Sequence, residues 1–183
     1  TCTESVISKY IQNFYGYNIF GLIDSIDKFG KKLIKSFNVD NFFYYPKMSI
    51  LKRFFFLFQA FKIISNLKDI NEFINFSKGE INFGRCVYDH LMRNTVKGTF
   101  NKIDFKFYFF LSEALFCNNF CINLFSKNKF EYMIMSETQF LPSNIIFQHA
   151  IINKTKVISR VGGPKNIGIT LFDSIKDKHI SNK

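Results

Sequence analysis

The sequence predicts an α/β fold with a mostly parallel sheet. Strand-like and helix-like segments alternate along the chain, and near its C-terminal end a strand, a loop, a helix and a second strand follow one another within about 30 residues. That order is typical of a parallel crossover unit. The 183 residues, 47% of them hydrophobic and only three of them Pro, exclude a disordered or collagen-like chain and are enough to bury the core of one domain spanning 1–183.

The N-terminal part is predicted to form a helix, a strand and a second helix. Apolar residues at helical spacing predict a helix over 4–13, and a short apolar run between turn residues predicts a strand over 17–23. Asp24 or Ser25 can cap a helix over 26–37, because either side chain offers an oxygen to a free backbone N–H.

The next segments are predicted to be a strand, a long helix and an irregular stretch. An aromatic run predicts a strand over 41–45, and Pro46 stops it because proline lacks the N–H that a strand ladder uses. A Phe-rich helix is predicted over 49–67. The stretch 69–83 is predicted to be irregular, with a turn at 78–79, where Gly follows Lys.

The C-terminal half is predicted to hold two further helices and the crossover unit. Helical spacing of apolar residues predicts helices over 84–94 and 104–125. The crossover unit consists of a strand at 130–135, a loop at 136–143, a helix at 144–153 and a strand at 156–160, with a glycine turn at 161–164 after it.

The chain is strongly basic. Lys and Arg number 25 against 14 for Asp and Glu, a net charge of +11, which favours anionic partners such as nucleic acid, nucleotide-sugars, phospholipids or polyanionic glycans. The densest basic cluster lies in one predicted helix and consists of Lys28, Lys31, Lys32 and Lys35. A solvated helix face, or a codon bias toward Lys and Phe, is the alternative explanation for this excess.

The cysteines predict neither a disulfide framework nor a zinc site. Cys117 and Cys121 are spaced i, i+4 in an apolar helix, but no second Cys/His pair with suitable spacing completes four zinc ligands. These cysteines, with Cys2 and Cys86, are predicted to be buried thiols in a reducing, cytoplasmic compartment, and no metal is expected.

No segment is predicted to cross a membrane. The apolar run 54–61 is too short, and charged and amide side chains interrupt 105–125. Both are predicted to be helices of a soluble protein, one of which can lie on a membrane surface. The chain starts at Thr1 rather than Met, so we expect it to be a fragment of a longer protein.

Several common catalytic motifs are absent from the sequence. It has no G-x-G-x-x-G, no P-loop, no G-x-S-x-G and no D-x-D motif. Their absence argues against dehydrogenase, kinase and hydrolase functions, and against a nucleotide-sugar site bridged by a metal.

The first candidate site lies in the predicted helix over 84–94. Asp89 and Arg93 are i, i+4, so both are expected on one helix face, where a carboxylate and a guanidinium can hold a polyhydroxylated or phosphorylated ligand. Gly84 at the start of the helix lets backbone N–H groups approach a ligand. An ordinary surface ion pair between Asp89 and Arg93 is the alternative.

Two further candidates follow the strands of the crossover unit. Glu137 lies past the carboxyl end of a predicted parallel strand, where open α/β sheets bind ligands. Its carboxylate can orient or deprotonate a hydroxyl of a ligand. The alternative is that it only complements the dipole at the N-terminus of the following helix. Arg160 ends the next strand beside Gly162 and can meet an anion, unless the glycines only form a turn. His90 and His149 are interpreted as packing or surface residues.

The order of these segments resembles bacterial capsular-polysaccharide biosynthesis proteins of the glycosyltransferase type. The resemblance rests on a Gly-x-x-x-Tyr-Asp-x-x-x-Arg pattern, which here is formed by Gly84, Tyr88, Asp89 and Arg93. The later matching features are Gly98-Thr99, a long helix, a strand and loop over 130–137, and the strand 156–160 with its glycine turn. The similarity covers residues 67–172, and 41–67 more loosely. Arg85 departs from the pattern, because an acidic residue is common at that position.

The resemblance implies the N-terminal half of a GT-B-like enzyme with two Rossmann-like halves, each a three-layer domain. This half would receive the glycan acceptor, and we expect the donor-binding second domain to lie outside the given sequence. A sugar would pass from a nucleotide-sugar, the co-substrate, to an acceptor hydroxyl, with no other cofactor. The residues implied to line or border the cleft are Gly84, Tyr88, Asp89, Arg93, Glu137, Arg160 and Gly162, with Asp89 or Glu137 acting on the hydroxyl and Arg93 or Arg160 offsetting negative charge.

The resemblance also implies a cytoplasmic protein, in peripheral contact with the anionic inner membrane and with no nucleic-acid partner. The alternative is a non-enzymatic basic α/β module that binds nucleic acid or another polyanion. The spacing of the aromatic residues argues against it, since they fall at helical core positions rather than on a basic sheet face.

Overall fold

The computed structural model describes residues 2–96, 98–161 and 168–174. The helices and strands of these ranges are, in chain order, α1 (Cys2–Tyr15), β1 (Phe20–Asp24), α2 (Lys28–Lys35), β2 (Asn41–Tyr45), α3 (Ile50–Ile64), α4 (Ile70–Ile74), β3 (Ser77–Lys78), β4 (Ile81–Asn82), α5 (Phe83–Thr95), α6 (Phe105–Lys127), β5 (Tyr132–Met135), α7 (Ser143–Ile152), β6 (Lys156–Val161) and β7 (Gly168–Phe172). The chain thus mixes helices with short strands, which agrees with the α/β class.

Two parallel strand pairs are each connected through a helix. β1 pairs with β2 in parallel across α2, and β5 pairs with β6 in parallel across α7, so the predicted crossover unit is confirmed. The prediction of one mostly parallel sheet is wrong for the described residues. They form two separate sheets, β1–β2 and β5–β6–β7, and a small antiparallel hairpin, β3–β4.

β7 was not predicted, and it runs antiparallel to β6. Ile169 and Leu171 are exposed and Phe172 is buried, so the strand lacks the burial that produces a strong apolar pattern. Hydrogen bonds to β6 and the packing of Phe172 on Phe147 hold this strand at the edge of its sheet.

The stretch 69–83 is ordered rather than irregular. Asp69 caps α4 by accepting hydrogen bonds from the N–H groups of Asn71 and Glu72, at 2.8 and 2.9 Å. Gly79 lies in the β3–β4 turn with a φ of 62°, as the turn prediction required. Five residues of helix and two-residue strands are too short to give a readable period, which is why the sequence did not reveal them.

The core is mainly helical and is centred on α6, which packs against α3, α5 and α7. Four phenylalanines from four elements are fully buried: Phe73, Phe83, Phe107 and Phe147. Burial of each such side chain stabilises the fold by about 1.5–3 kcal/mol. The thiols of Cys86, Cys117 and Cys121 are buried and form no disulfide, as predicted.

Candidate functional site

A cavity of about 720 Å³ separates the two parallel strand pairs. All of β1 borders one side of it and all of β5 borders the other. Since β1 is hydrogen-bonded only to β2 and β5 only to β6 among the described residues, both strands present an edge to this space. The cavity is large enough to hold a small ligand.

Glu137 lies at the edge of the cavity, two residues beyond the end of β5. Its Oε1 accepts a hydrogen bond of 2.5 Å from the N–H of Gln139, and its Oε2 accepts one of 3.2 Å from Nη1 of Arg93. The carboxylate is therefore held in one orientation, at the carboxyl end of a parallel strand, where the sequence analysis placed it.

Arg93 fixes this loop against α5. Its guanidinium carbon lies 4.2 Å from the centre of the Phe140 ring, in addition to the ion pair with Glu137. Cation–π contact and an ion pair together orient the side chain more strongly than either alone. Arg93 itself is not among the described residues that line the cavity.

Asp89 and Arg93 do not form the ion pair that the sequence analysis gave as the alternative to a ligand site. Asp89 instead pairs with Arg85, whose Nε lies 3.1 Å from the carboxylate. Arg85 and Arg93 are both four residues from Asp89 and compete for it on the same helix. Arg93 turns to Glu137 and Phe140, so the two guanidiniums separate and Asp89 does not border the cavity.

Gly84 and Tyr88 contact neighbouring parts of the chain and do not border the cavity. A Cβ added to Gly84 would overlap the carbonyl oxygen of Phe73, so the close approach at this glycine is to α4 and not to a ligand. The Tyr88 hydroxyl is 3.1 Å from Oγ1 of Thr99 and accepts a hydrogen bond of 3.4 Å from the N–H of Phe100. These contacts hold the chain between α5 and α6.

Of the remaining predicted site residues, Arg160 belongs to β6. The backbone of Arg160 pairs with Ile169 of β7. The Arg160 side chain and Gly162 lie outside the part of the chain that the structure describes.

Glu113 was missed as a site residue. It is half-buried on α6 and borders the cavity, and burial raises its pKa, opposed by the positive charge of Arg53. Arg53, on α3, borders the same cavity and stacks on Phe109 at 5.5 Å. The available signal was that Glu113 is the only acidic residue within 105–125.

His90 was interpreted from the sequence as a packing or surface residue, yet it also borders the cavity. Burial and the nearby Arg93 charge lower its pKa, which favours the neutral imidazole. Its Nε2 is 2.7 Å from the Asn94 side-chain amide, and its Nδ1 is buried with no hydrogen-bond partner. His149, by contrast, is packed on α7 with Nε2 2.9 Å from Oδ1 of Asn118.

Together these side chains place two carboxylates and a neutral imidazole on the cavity, whose lining also includes Glu4 and Asp24. Such a set can accept and orient hydroxyl protons, because a half-buried carboxylate with a raised pKa is a better base near neutral pH than an exposed one. The described residues contain no group of three or more His, Cys, Asp or Glu side chains able to hold a metal ion.

Comparison of the chain with protein-family models, with curated proteins and with solved structures finds no match. The functional interpretation therefore depends on the geometry of the cavity. Among the described residues, no helix combines the length and the apolar content that crossing a bilayer requires.

Proposed function

We propose that this chain is the acceptor-binding half of a glycosyltransferase-like enzyme of surface polysaccharide synthesis. In this proposal the two crossover units belong to one Rossmann-like half of a GT-B-like protein, and the cavity between them receives a glycan. The protein would work in the cytoplasm, with a nucleotide-sugar as the second substrate supplied from another domain.

The observation that carries the proposal is the position of Glu137 and Glu113 on one cavity. Glu137 follows the carboxyl end of a parallel strand and Glu113 faces the same space from the long helix α6. Open α/β sheets bind ligands at this end of their strands, and sugar hydroxyls are recognised by fixed carboxylates.

The two carboxylates suit different parts of the transfer reaction. Glu137, whose oxygens already accept two hydrogen bonds, would orient an acceptor hydroxyl. Glu113, with its raised pKa, would take the hydroxyl proton as the acceptor oxygen bonds to the anomeric carbon of the donor. The bond from that carbon to the nucleotide phosphate breaks at the same time, and the nucleotide leaves with the electron pair.

The charge around the cavity favours a neutral glycan over an acidic one. Lys47 and Arg53 border the same space as four acidic residues, which are Glu4, Asp24, Glu113 and Glu137, so the acids outnumber the cations. Asp89, the other catalytic candidate from the sequence, does not border the cavity. We therefore assign the orientation and deprotonation of the acceptor hydroxyl to Glu137 and Glu113.

The test is binding of oligosaccharides to the 183-residue chain by saturation-transfer NMR. A panel of neutral and acidic oligosaccharides is compared on the native chain, Glu137→Gln, Glu113→Gln and the cavity-filling variant Met135→Trp. Glu80→Gln, an exposed acid outside the cavity, is the matched control. Circular dichroism melting verifies that each variant is folded.

We expect at least one oligosaccharide to bind, and Glu137→Gln to weaken binding by about tenfold, since a hydrogen bond to a charged group is worth about 1.5–3 kcal/mol. Met135→Trp should abolish binding and Glu80→Gln should leave it unchanged. Absence of binding by every oligosaccharide, or equal binding by native chain and folded Met135→Trp, would overturn the proposal.

A second candidate function, polyanion binding, is favoured by α2. This helix buries none of its residues and exposes Lys28, Lys32 and Lys35, with Phe29 exposed beside them. A single-stranded oligonucleotide titration at increasing salt tests it, because phosphate contacts make affinity fall steeply with salt. A flat salt dependence, or no binding, would reject this candidate.

A further inference from the structure

The outward face of α3 is apolar, although the opposite face of the helix already packs on the core. Phe56, Ala60 and Ile64 are buried against the protein. Six large side chains on the remaining surface are between 56% and 83% exposed: Ile50, Leu51, Phe54, Phe55, Phe58 and Phe61. A surface helix normally carries polar residues there, so this face, which we term the α3 outer face, is suited to a second apolar environment.

The exposed cations that α3 carries outside the cavity are Lys52 and Lys62. Residues 41–68 contain no Asp or Glu; of their other basic residues, Lys47 and Arg53 border the cavity, and Lys68 lies 3.9 Å from Glu72. Lys62 lies among the exposed aromatics, with Nζ 4.5 Å from the centre of the Phe58 ring. Its long stem can cover apolar surface while the ammonium reaches a polar layer.

We propose that the α3 outer face docks in the plane of an anionic lipid surface. An interfacial helix of this kind places its apolar side at the boundary between headgroups and acyl chains, and its cations among anionic headgroups. α3 supplies apolar side chains for the acyl-chain boundary and basic side chains for the headgroup layer. No described helix is suited to span the bilayer instead. The docking does not depend on the proposed transfer reaction.

Charge argues against a second copy of the chain as the occupant. A two-fold contact through this face would bring identical cations from both copies together, with no acid in residues 41–68 to neutralise them. An anionic membrane supplies the opposite charge as well as the apolar phase.

The experiment is co-sedimentation of the full chain with vesicles of phosphatidylcholine, with and without phosphatidylglycerol. The chain should bind the anionic vesicles preferentially, and added salt should weaken that binding. Leu51→Ser with Phe58→Ser should lower the partition coefficient by at least about tenfold, since two apolar side chains no longer enter the lipid. The matched control is Val6→Ser with Phe14→Ser, which removes two exposed apolar residues from α1.

A fluorescence measurement keeps the test decisive if the double variant folds poorly. The sequence contains no Trp, so Phe54→Trp introduces a single reporter on the α3 outer face and Phe14→Trp one on α1. Vesicles should shift the emission of the first to shorter wavelength and leave the second unchanged. The proposal would be overturned if the chain bound no vesicles, or if both double variants lost binding equally. It would also be overturned if sedimentation velocity showed a dimer that Leu51→Ser with Phe58→Ser abolished while vesicle binding stayed unchanged.

Discussion

Arg93 and Glu137 stand 44 positions apart in the chain, and their Nη1 and Oε2 atoms are 3.2 Å apart. The ion pair joins the C-terminal half of α5 to the loop that follows β5. Phe140, from the same loop, lies under the guanidinium. One arginine therefore positions both a carboxylate of the cavity and the chain that leads into α7.

Arg93→Ala should destabilise the protein more than Arg85→Ala. The first removes an ion pair and a cation–π contact, together worth about 1 kcal/mol, whereas the second removes only an i, i+4 pair worth about 0.3–0.5 kcal/mol. Urea unfolding of both variants measures the difference. Equal free energies of unfolding would show that Arg93 does not hold the loop.

Arg93→Ala should also raise the pKa of His90. Burial is the larger cause that lowers that pKa from 6.5 and the arginine charge is the smaller one, which the variant removes. Imidazole proton NMR titration measures the pKa, and His149 serves as an internal control, because burial alone lowers its pKa. An unchanged His90 titration, or an equal change at His149, would contradict the assignment.

Glu113 should make the protein less stable as pH rises. Its pKa is raised above 4.5 by burial, so the folded state binds the proton more tightly than the unfolded state. The resulting stabilisation is fully present below pH 4.5 and is lost as pH rises through the raised pKa. Glu113→Gln should remove this loss, giving a flatter curve of unfolding free energy against pH. Glu80→Gln is the control, and parallel curves for the native chain and Glu113→Gln would refute the expectation.

Gly84→Ala should cost at least about 2 kcal/mol, because the new methyl group meets backbone rather than a movable side chain. The overlap is with the Phe73 carbonyl on α4. Gly98→Ala is the control, since a Cβ there meets nothing within 4 Å. Thermal unfolding compares the two, and a similar melting temperature for both would mean that α4 moves aside without cost.

Local pattern was sufficient to predict much of the fold. The strand over 41–45 has the bounds of β2, and within the two strands predicted for the crossover unit residues 132–135 pair in parallel with 156–159. Glu137 was placed correctly because its position depends only on where one parallel strand ends.

Contacts between distant segments were not predictable in the same way. The spacing of Asp89 and Arg93 indicates a shared helix face. Whether Asp89 pairs with Arg85 or with Arg93, however, depends on Glu137, which lies in a loop 44 residues after Arg93. Glu113 joins the site only because α6 passes the cavity, and helical periodicity cannot reveal what a helix passes.

The space between β1 and β5 has a consequence for motion. Within the described ranges no strand pairing crosses this space, so β1, α2 and β2 contact the remainder through side-chain packing, and no residue of α2 is fully buried. Residues 20–45 should consequently open as a unit at lower free energy than α6, and hydrogen-exchange mass spectrometry should find their amides exchanging first. The opening of the cavity would then widen while the aromatic core stays folded, and a large ligand could enter.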